Sequence, residues 1–166
     1  MPVIANLIVG INGATTIAGR SGPLSDTDDR QRFHELRKRA DAIVIGGATS
    51  RAEPYASTPV PLIVISHELL IPGSAQRNPL ALLSSGTILQ TLAQYSSEFP
   101  TILIEAGAGL LEEALRAHLV DELYLTRVEK SGDAPFFTVD PLTCGLILSE
   151  NIQSQSGLFQ RYARLP

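Results

Sequence analysis

Two short segments combine residue types that could do chemistry with a spacing that brings backbone donors close to a ligand. In "LIEAGAGLL", Glu105 leaves an apolar run and is followed by Gly107 and Gly109; in "IVIGGATSR", Gly46 and Gly47 follow a second apolar run and precede Thr49. A carboxylate at the end of a buried strand needs hydrogen-bond donors or a chemical task, because desolvating its charge is costly. Glycines at a helix start let N–H groups approach an anion with no Cβ in the way. In an open α/β sheet such corners lie beyond the carboxyl ends of the strands, where ligands bind. Two of them suit one extended nucleotide, and they suit plain strand-to-helix connections equally. Neither has the spacing of a P-loop or of the G-x-G-x-x-G fingerprint.

These corners need strands before them and helices after them. "VIANLIVGI" reads as a buried strand closed by the turn signal Asn12-Gly13, and "DAIVIGG", "PLIVIS" and "TILIEAG" are short continuous apolar runs of the kind covered on both faces. Between them, "SDTDDRQRFHELRKRA" predicts a helix with Ser25 as N-cap, acids in its first turn and Arg37, Lys38 and Arg39 in its last. Phe33, Leu36 and Ala40 give that helix its apolar face. "ATSRAEPYASTPV" allows a helical turn from Thr49 and then a loop, while "TILQTLAQYS" and "GLLEEALRAHL" are further helices. "VDELYLTRV" alternates like a strand, and "LILSENIQS" and "LFQRYARL" are two more, joined near Gly157. Strands alternating with helices predict one three-layer α/β domain over residues 1–166, with a mainly parallel sheet and antiparallel C-terminal strands at one edge.

A chain of 166 residues with formal charge −4 lacks the basic excess of a phosphate-backbone binder, so a small molecule or a protein partner is expected and nucleic acid is not. Cys144 is the only cysteine and reads as a small core residue; no cysteine-based metal site is expected. The start "MPVIANLIVG" has no basic n-region, and its apolar run is too short to span a membrane, which places the protein in the cytoplasm.

Read in order, these pieces become specific. "ANLIVGINGATTIAGRSGPLSDTDDRQRFHELRKRADAIVIGGATSRAEPY" resembles the opening of the pyrimidine reductase family, the reductase domain of bifunctional riboflavin biosynthesis proteins and its free-standing relatives. That family reads S-L-D-G, then G-x-S-x-x-L/I-S, then L-R-A-x-x-D-A-x-L-V-G-x-x-T. "ILIEAGAGLLEEALRAHLVDELYL" is similar to its E-G-G-P-x-L…L-V-D-E-L segment. The resemblance implies a dihydrofolate-reductase-like fold, NADPH as hydride donor, a homodimer, and reduction at C1′ of the opened sugar of a phosphorylated ribosylamino-pyrimidine. Other readings are a divergent nucleotide-binding relative without turnover, acting as sensor or structural subunit, and a dihydrofolate reductase proper. The latter fits less well, because the first strand and its loop match the pyrimidine family and the chain has no tryptophan.

The resemblance also implies roles by position. Gly46, Gly47 and Thr49, with Gly107, Ala108, Gly109 and Leu110, match the corners that meet the cofactor phosphates, and Ser66 and His67 stand where the adenosine 2′-phosphate is held. Ser21 and Arg37 match positions associated with the sugar phosphate. Arg37 could present two donors to it, and reads equally as a charge at a helix C-terminus. Asn6, Asn12, Glu53 and Glu105 match polar positions around the pyrimidine and the opened ribose: Glu105 and Asn12 orient the sugar, and Glu53 assists proton supply. The family's S-L-D-G stands here as Gly10-Ile11-Asn12-Gly13, an amide for a carboxylate, and its E-G-G-P as Glu105-Ala106-Gly107-Ala108. The strand from Leu123 to Val128 and the tail strands are the expected dimer interface.

Overall fold

The period of two along the first strand divides its residues between two cores. Val3, Ala5, Leu7 and Val9 join a cluster with Ile88, Leu92, Leu111 and Leu115, whereas Ile4 joins one with Leu36, Ile43, Ile45 and Ala75. A strand that is apolar on both faces needs a helical layer over each. The computed structural model, which describes residues 1–138, 140, 144–155 and 157–165, shows both layers.

The chain runs β1 (Val3–Val9), β2 (Ala14–Thr16), α1 (Thr27–Arg39), β3 (Ala42–Gly46), α2 (Gly47–Ala52), β4 (Leu62–Ile65), a 3-10 helix (Gly73–Arg77), β5 (Ala81–Ser84), α3 (Ile88–Tyr95), β6 (Ile102–Ile104), α4 (Ala108–Arg116), β7 (Glu122–Arg127), β8 (Asp133–Phe136), β9 (Ile147–Gln153) and β10 (Leu158–Ala163). Eight strands form one sheet in the order β5-β4-β3-β6-β1-β7-β10-β9. The first six are parallel, with Ile43 beside Leu103 and Ala5 beside both Ile104 and Leu123. β10 and β9 then add antiparallel to β7 and to each other. Helices α3 and α4 cover one face; α1 and the 3-10 helix cover the other. The domain is therefore the three-layer, mainly parallel α/β fold expected, closed by its antiparallel tail.

Three local expectations change. Helix α1 is capped by Asp26 rather than Ser25: the Asp29 N–H donates to Asp26 Oδ1 at 3.1 Å, and Ser25 Oγ instead donates to Asp29 Oδ2 at 2.6 Å. A two-stranded sheet of β2 and β8 appears where no strands were expected, and β5 forms one edge of the main sheet. β7 lies inside the sheet between β1 and β10, so its backbone is not available to a second copy. Of the two edge strands, β5 and β9, the one whose residues are all exposed is β9, Ile147, Leu148 and Ile152 among them.

Candidate active site

Because β3 and β6 are neighbours, the two glycine corners that follow them emerge side by side. The Gly107 N–H donates to Thr49 Oγ1 at 3.0 Å and ties one corner to the other. Gly46 and Gly107 are the N-caps of α2 and α4; neither helix has a side-chain cap or an acidic residue in its first turn. The positive ends of both helices are thus left without an anionic partner of their own. A Cβ on Gly109 would meet nothing within 4 Å, one on Gly46 would meet Leu110 at 3.7 Å, and one on Gly47 would stand 3.3 Å from Ser66 Oγ and Pro72. Ala108 is buried, Leu110 half-buried and His67 exposed; buried Ser66 accepts from the Glu68 N–H at 3.2 Å.

Thr49 and Gly107 also line a cleft of about 510 Å³ between this corner, β1, the loop after β2 and α1. At its floor is Glu105, whose side chain is 2% exposed. Arg37 grips it with a parallel fork, Nε to Oε1 at 2.8 Å and Nη2 to Oε2 at 2.6 Å, and the Tyr55 hydroxyl donates to Oε2 at 2.9 Å. The guanidinium lies over the Phe33 ring at 4.3 Å. Burial disfavours the charge of Arg37, but hydrogen bonding to Glu105 and the charge of that carboxylate outweigh it and raise the pKa. Burial first, then the adjacent Glu105 charge, hold the Tyr55 phenol well above the ordinary tyrosine range, so it remains a donor.

The cleft also gathers Asn6, Ser21 and Glu53 from three separate elements. Asn6 projects from β1 among apolar neighbours and makes no side-chain hydrogen bond among the described residues. Glu53 Oε1 accepts from the Ser21 N–H at 2.5 Å, which pins the loop after β2 to the end of α2. Two expectations are altered by this geometry. The Arg37 fork closes on Glu105 instead of standing open to an anion. Asn12 is not brought to the cleft: its amide donates to Gly132 O at 3.0 Å, and its Oδ1 accepts from the N–H groups of Gly132 and Ala14. The turn after β1 sits so tightly on that loop that a Cβ on Gly10 would fall 2.4 Å from Lys130 O, which directs Asn12 to the loop.

Sequence reasoning missed Tyr55 as a partner of Glu105, Phe33 as a platform for Arg37, and Arg20, Arg30 and His34 as further cleft residues. The i, i+4, i+7 spacing of Arg30, His34 and the already singled-out Arg37 was the available signal, since it sets all three on one side of α1. Among the described residues Arg20 and Arg30 have no ion-pair partner. No group of three or more His, Cys, Asp or Glu among the described residues is placed to hold a metal ion, and no described helix is long and apolar enough to cross a membrane.

The sequence profile of the RibD C-terminal domain matches residues 2–129, which span β1 to β7 and therefore both glycine corners and the whole Glu105–Arg37 floor. The chain belongs to the RibD C-terminal domain family. Its fold is shared with a pyrimidine reductase-like protein of Corynebacterium diphtheriae, at 24% identity and a TM-score of 0.73 over 99% of this chain and 92% of that one. The RibD of Acinetobacter baumannii gives 19% and 0.72, over 100% of this chain and 59% of that protein. A diaminohydroxyphosphoribosylaminopyrimidine deaminase/5-amino-6-(5-phosphoribosylamino)uracil reductase of Thermotoga maritima gives 13% and 0.71, over 99% and 56%. This RibD C-terminal domain thus spans a little over half the length of the latter two proteins. No curated protein sequence matches it.

Proposed function

We propose that this RibD C-terminal domain is an NADPH-dependent reductase that reduces C1′ of the opened ribose of a phosphorylated ribosylamino-pyrimidine. One observation carries the reading: the Gly107–Thr49 hydrogen bond joins a corner suited to a dinucleotide's phosphates to a cleft with a buried carboxylate at its floor. The uncapped starts of α2 and α4 fit the group, with Gly46, Gly47, Thr49, Gly107, Ala108, Gly109 and Leu110 around the phosphates and Ser66 and His67 toward the adenosine end. When bound, NADPH supplies the hydride; the protein supplies binding, orientation and exclusion of water.

Glu105 is the substrate acceptor in this reading. A carboxylate offers about four lone-pair sites, and Arg37 and Tyr55 already fill three of them, two on Oε2 and one on Oε1. The remaining site on Oε1 takes one donor, a sugar hydroxyl or a pyrimidine N–H. Asn6, whose side chain has no hydrogen-bond partner among the described residues, adds a donor and an acceptor beside it. Reduction adds a hydride to C1′ and a proton to the adjoining nitrogen. In this reading Glu53, whose second oxygen has no partner among the described residues, hands on that proton. Arg37 acts by holding Glu105, while Arg20 and Arg30, with Ser21 between the cleft loop and α2, receive the substrate phosphate. Two copies associate through the open edge of β9, whose exposed Ile147, Leu148 and Ile152 suit burial between subunits.

The test is a direct assay of NADPH oxidation with 5-amino-6-(5-phosphoribosylamino)uracil, run beside NADPH titration by fluorescence and sedimentation at micromolar protein. Binding with turnover is expected. Binding without turnover on this compound would move the protein to another substrate or to a binding role, and absence of binding would end the nucleotide reading.

A further inference from the structure

On the side of the glycine corner away from Glu105, two elements of opposite charge meet. Arg51, in the last turn of α2, forms an ion pair with Glu68, in the loop after β4, and both side chains are about half exposed, 53% and 49%. The pair is anchored to the corner itself. The Glu68 N–H donates to Ser66 Oγ at 3.2 Å, and that same Oγ lies 3.3 Å from where a Cβ on Gly47 would be. On the Ser66 side of the corner there is therefore a guanidinium already neutralised by a carboxylate, on a side chain long enough to change partner.

The two members of the pair favour opposite ligands. A carboxylate accepts the hydrogen bond of a free ribose 2′-hydroxyl and repels a 2′-phosphate, while an arginine takes a phosphate with two parallel donors. A guanidinium carries its charge at any physiological pH. An exposed ion pair is only weakly held, so a phosphate dianion can take the guanidinium from it. We propose that Arg51 leaves Glu68 to receive the 2′-phosphate of NADPH, and that Glu68, as its competing partner, limits the preference for NADPH over NADH. This rests on the nucleotide reading of the corner.

The experiment is fluorescence titration of the full chain and of Arg51→Gln and Glu68→Gln with NADPH and, separately, with NADH; it needs no substrate and no turnover. Both side chains are surface-exposed, so both variants fold. Arg51→Gln should weaken NADPH about tenfold and leave NADH within about twofold, the loss of one charge-assisted contact. Glu68→Gln should tighten NADPH by about three- to tenfold, since the guanidinium no longer has to be withdrawn from a carboxylate. An Arg51→Gln variant that weakens the two nucleotides equally, or neither, overturns the assignment of Arg51. Unchanged NADPH affinity in Glu68→Gln overturns the role of Glu68. A wild-type chain that binds neither nucleotide overturns the reading of the corner, and the inference with it.

Discussion

Arg37 and Glu105 meet as two parallel hydrogen bonds of 2.8 and 2.6 Å across 68 residues of sequence. The relationship fixes what each can do: the carboxylate is held in place at the floor of the cleft, and the guanidinium has no fork left for a ligand. Arg37→Ala should cost about 3–5 kcal/mol in denaturant unfolding, because it strands a buried carboxylate. Arg37→Lys keeps the charge but offers a single ammonium. It should fold with a smaller loss and lower kcat/KM about ten- to a hundredfold, measured against wild type with the same substrate.

Asn12 stands in the turn after β1, and its neighbours call for an amide. Replacing it by aspartate removes the donor to Gly132 O and sets a carboxylate oxygen against that carbonyl, while the two N–H contacts to Oδ1 survive. Asn12→Asp should lower stability by about 0.5–1.5 kcal/mol, the scale of one exposed hydrogen bond. Urea unfolding measures it. An increase in turnover with no loss of stability would show that residue 12 reaches the substrate after all.

At Gly107 folding and binding can be separated. Its φ of −63° suits any residue, and an added Cβ would lie at an ordinary 3.4 Å from Thr49 Oγ1. Gly107→Ala should therefore leave the melting temperature within a few degrees. It should weaken NADPH about tenfold or more, because the methyl occupies the approach of a phosphate to the α4 N-terminus. Thermal unfolding and nucleotide titration on one preparation test both halves.

Much of this architecture is legible in the sequence because its strands are buried on both faces. "AIVIG" and "LIVI" admit few alternatives when no polar face interrupts them. β5 is not legible, since its Ala81–Ser84 is an edge strand of mixed burial; β2 and β8 are not, because "ATT" and "DAPF" form a small sheet with little core of its own. The glycine corners could be read locally, as strand end, glycine and helix start follow one another. The Arg37–Glu105–Tyr55 group could not, because its members come from a helix, a strand end and a loop, and only the packing of α1 over β6 brings them together. Asn12 shows the same limit in reverse: its partner Gly132 lies 120 residues away, and no local pattern points there.

Among the described residues, the cleft arginines without an ion-pair partner are Arg20 and Arg30; Asp29 and Glu53 beside them are engaged by Ser25 and Ser21. If these arginines hold the substrate phosphate, Arg20→Ala combined with Arg30→Ala should raise KM for the phosphorylated substrate about tenfold or more and leave NADPH affinity unchanged. The dephosphorylated analogue should be affected less than twofold. Equal losses with both substrates would place the phosphate elsewhere.

Tyr55 links the cleft to stability at alkaline pH. Its pKa in the folded chain is raised well above the ordinary value, by burial and then by the charge of Glu105. Below about pH 10 the phenol is protonated whether the chain is folded or not, and the linkage contributes no pH dependence. Above that, the unfolded chain gains free energy by releasing the proton while the folded chain retains it, so the folded state binds more protons and stability falls as pH rises. Tyr55→Phe deletes this term. It also removes one of the three hydrogen bonds on Glu105, at a cost of about 1–3 kcal/mol near pH 7. The variant should thus start less stable than wild type at pH 7 and lose stability less steeply above pH 10, which urea unfolding at a series of pH values would record. In wild type, ultraviolet titration should show the Tyr55 contribution rising only as the fold is lost, and that late contribution should be missing in Tyr55→Phe. Parallel stability curves for the two proteins above pH 10, or a late step that persists in the variant, would mean that the Tyr55 phenol ionises within the folded cleft and is not the fixed donor that holds Glu105.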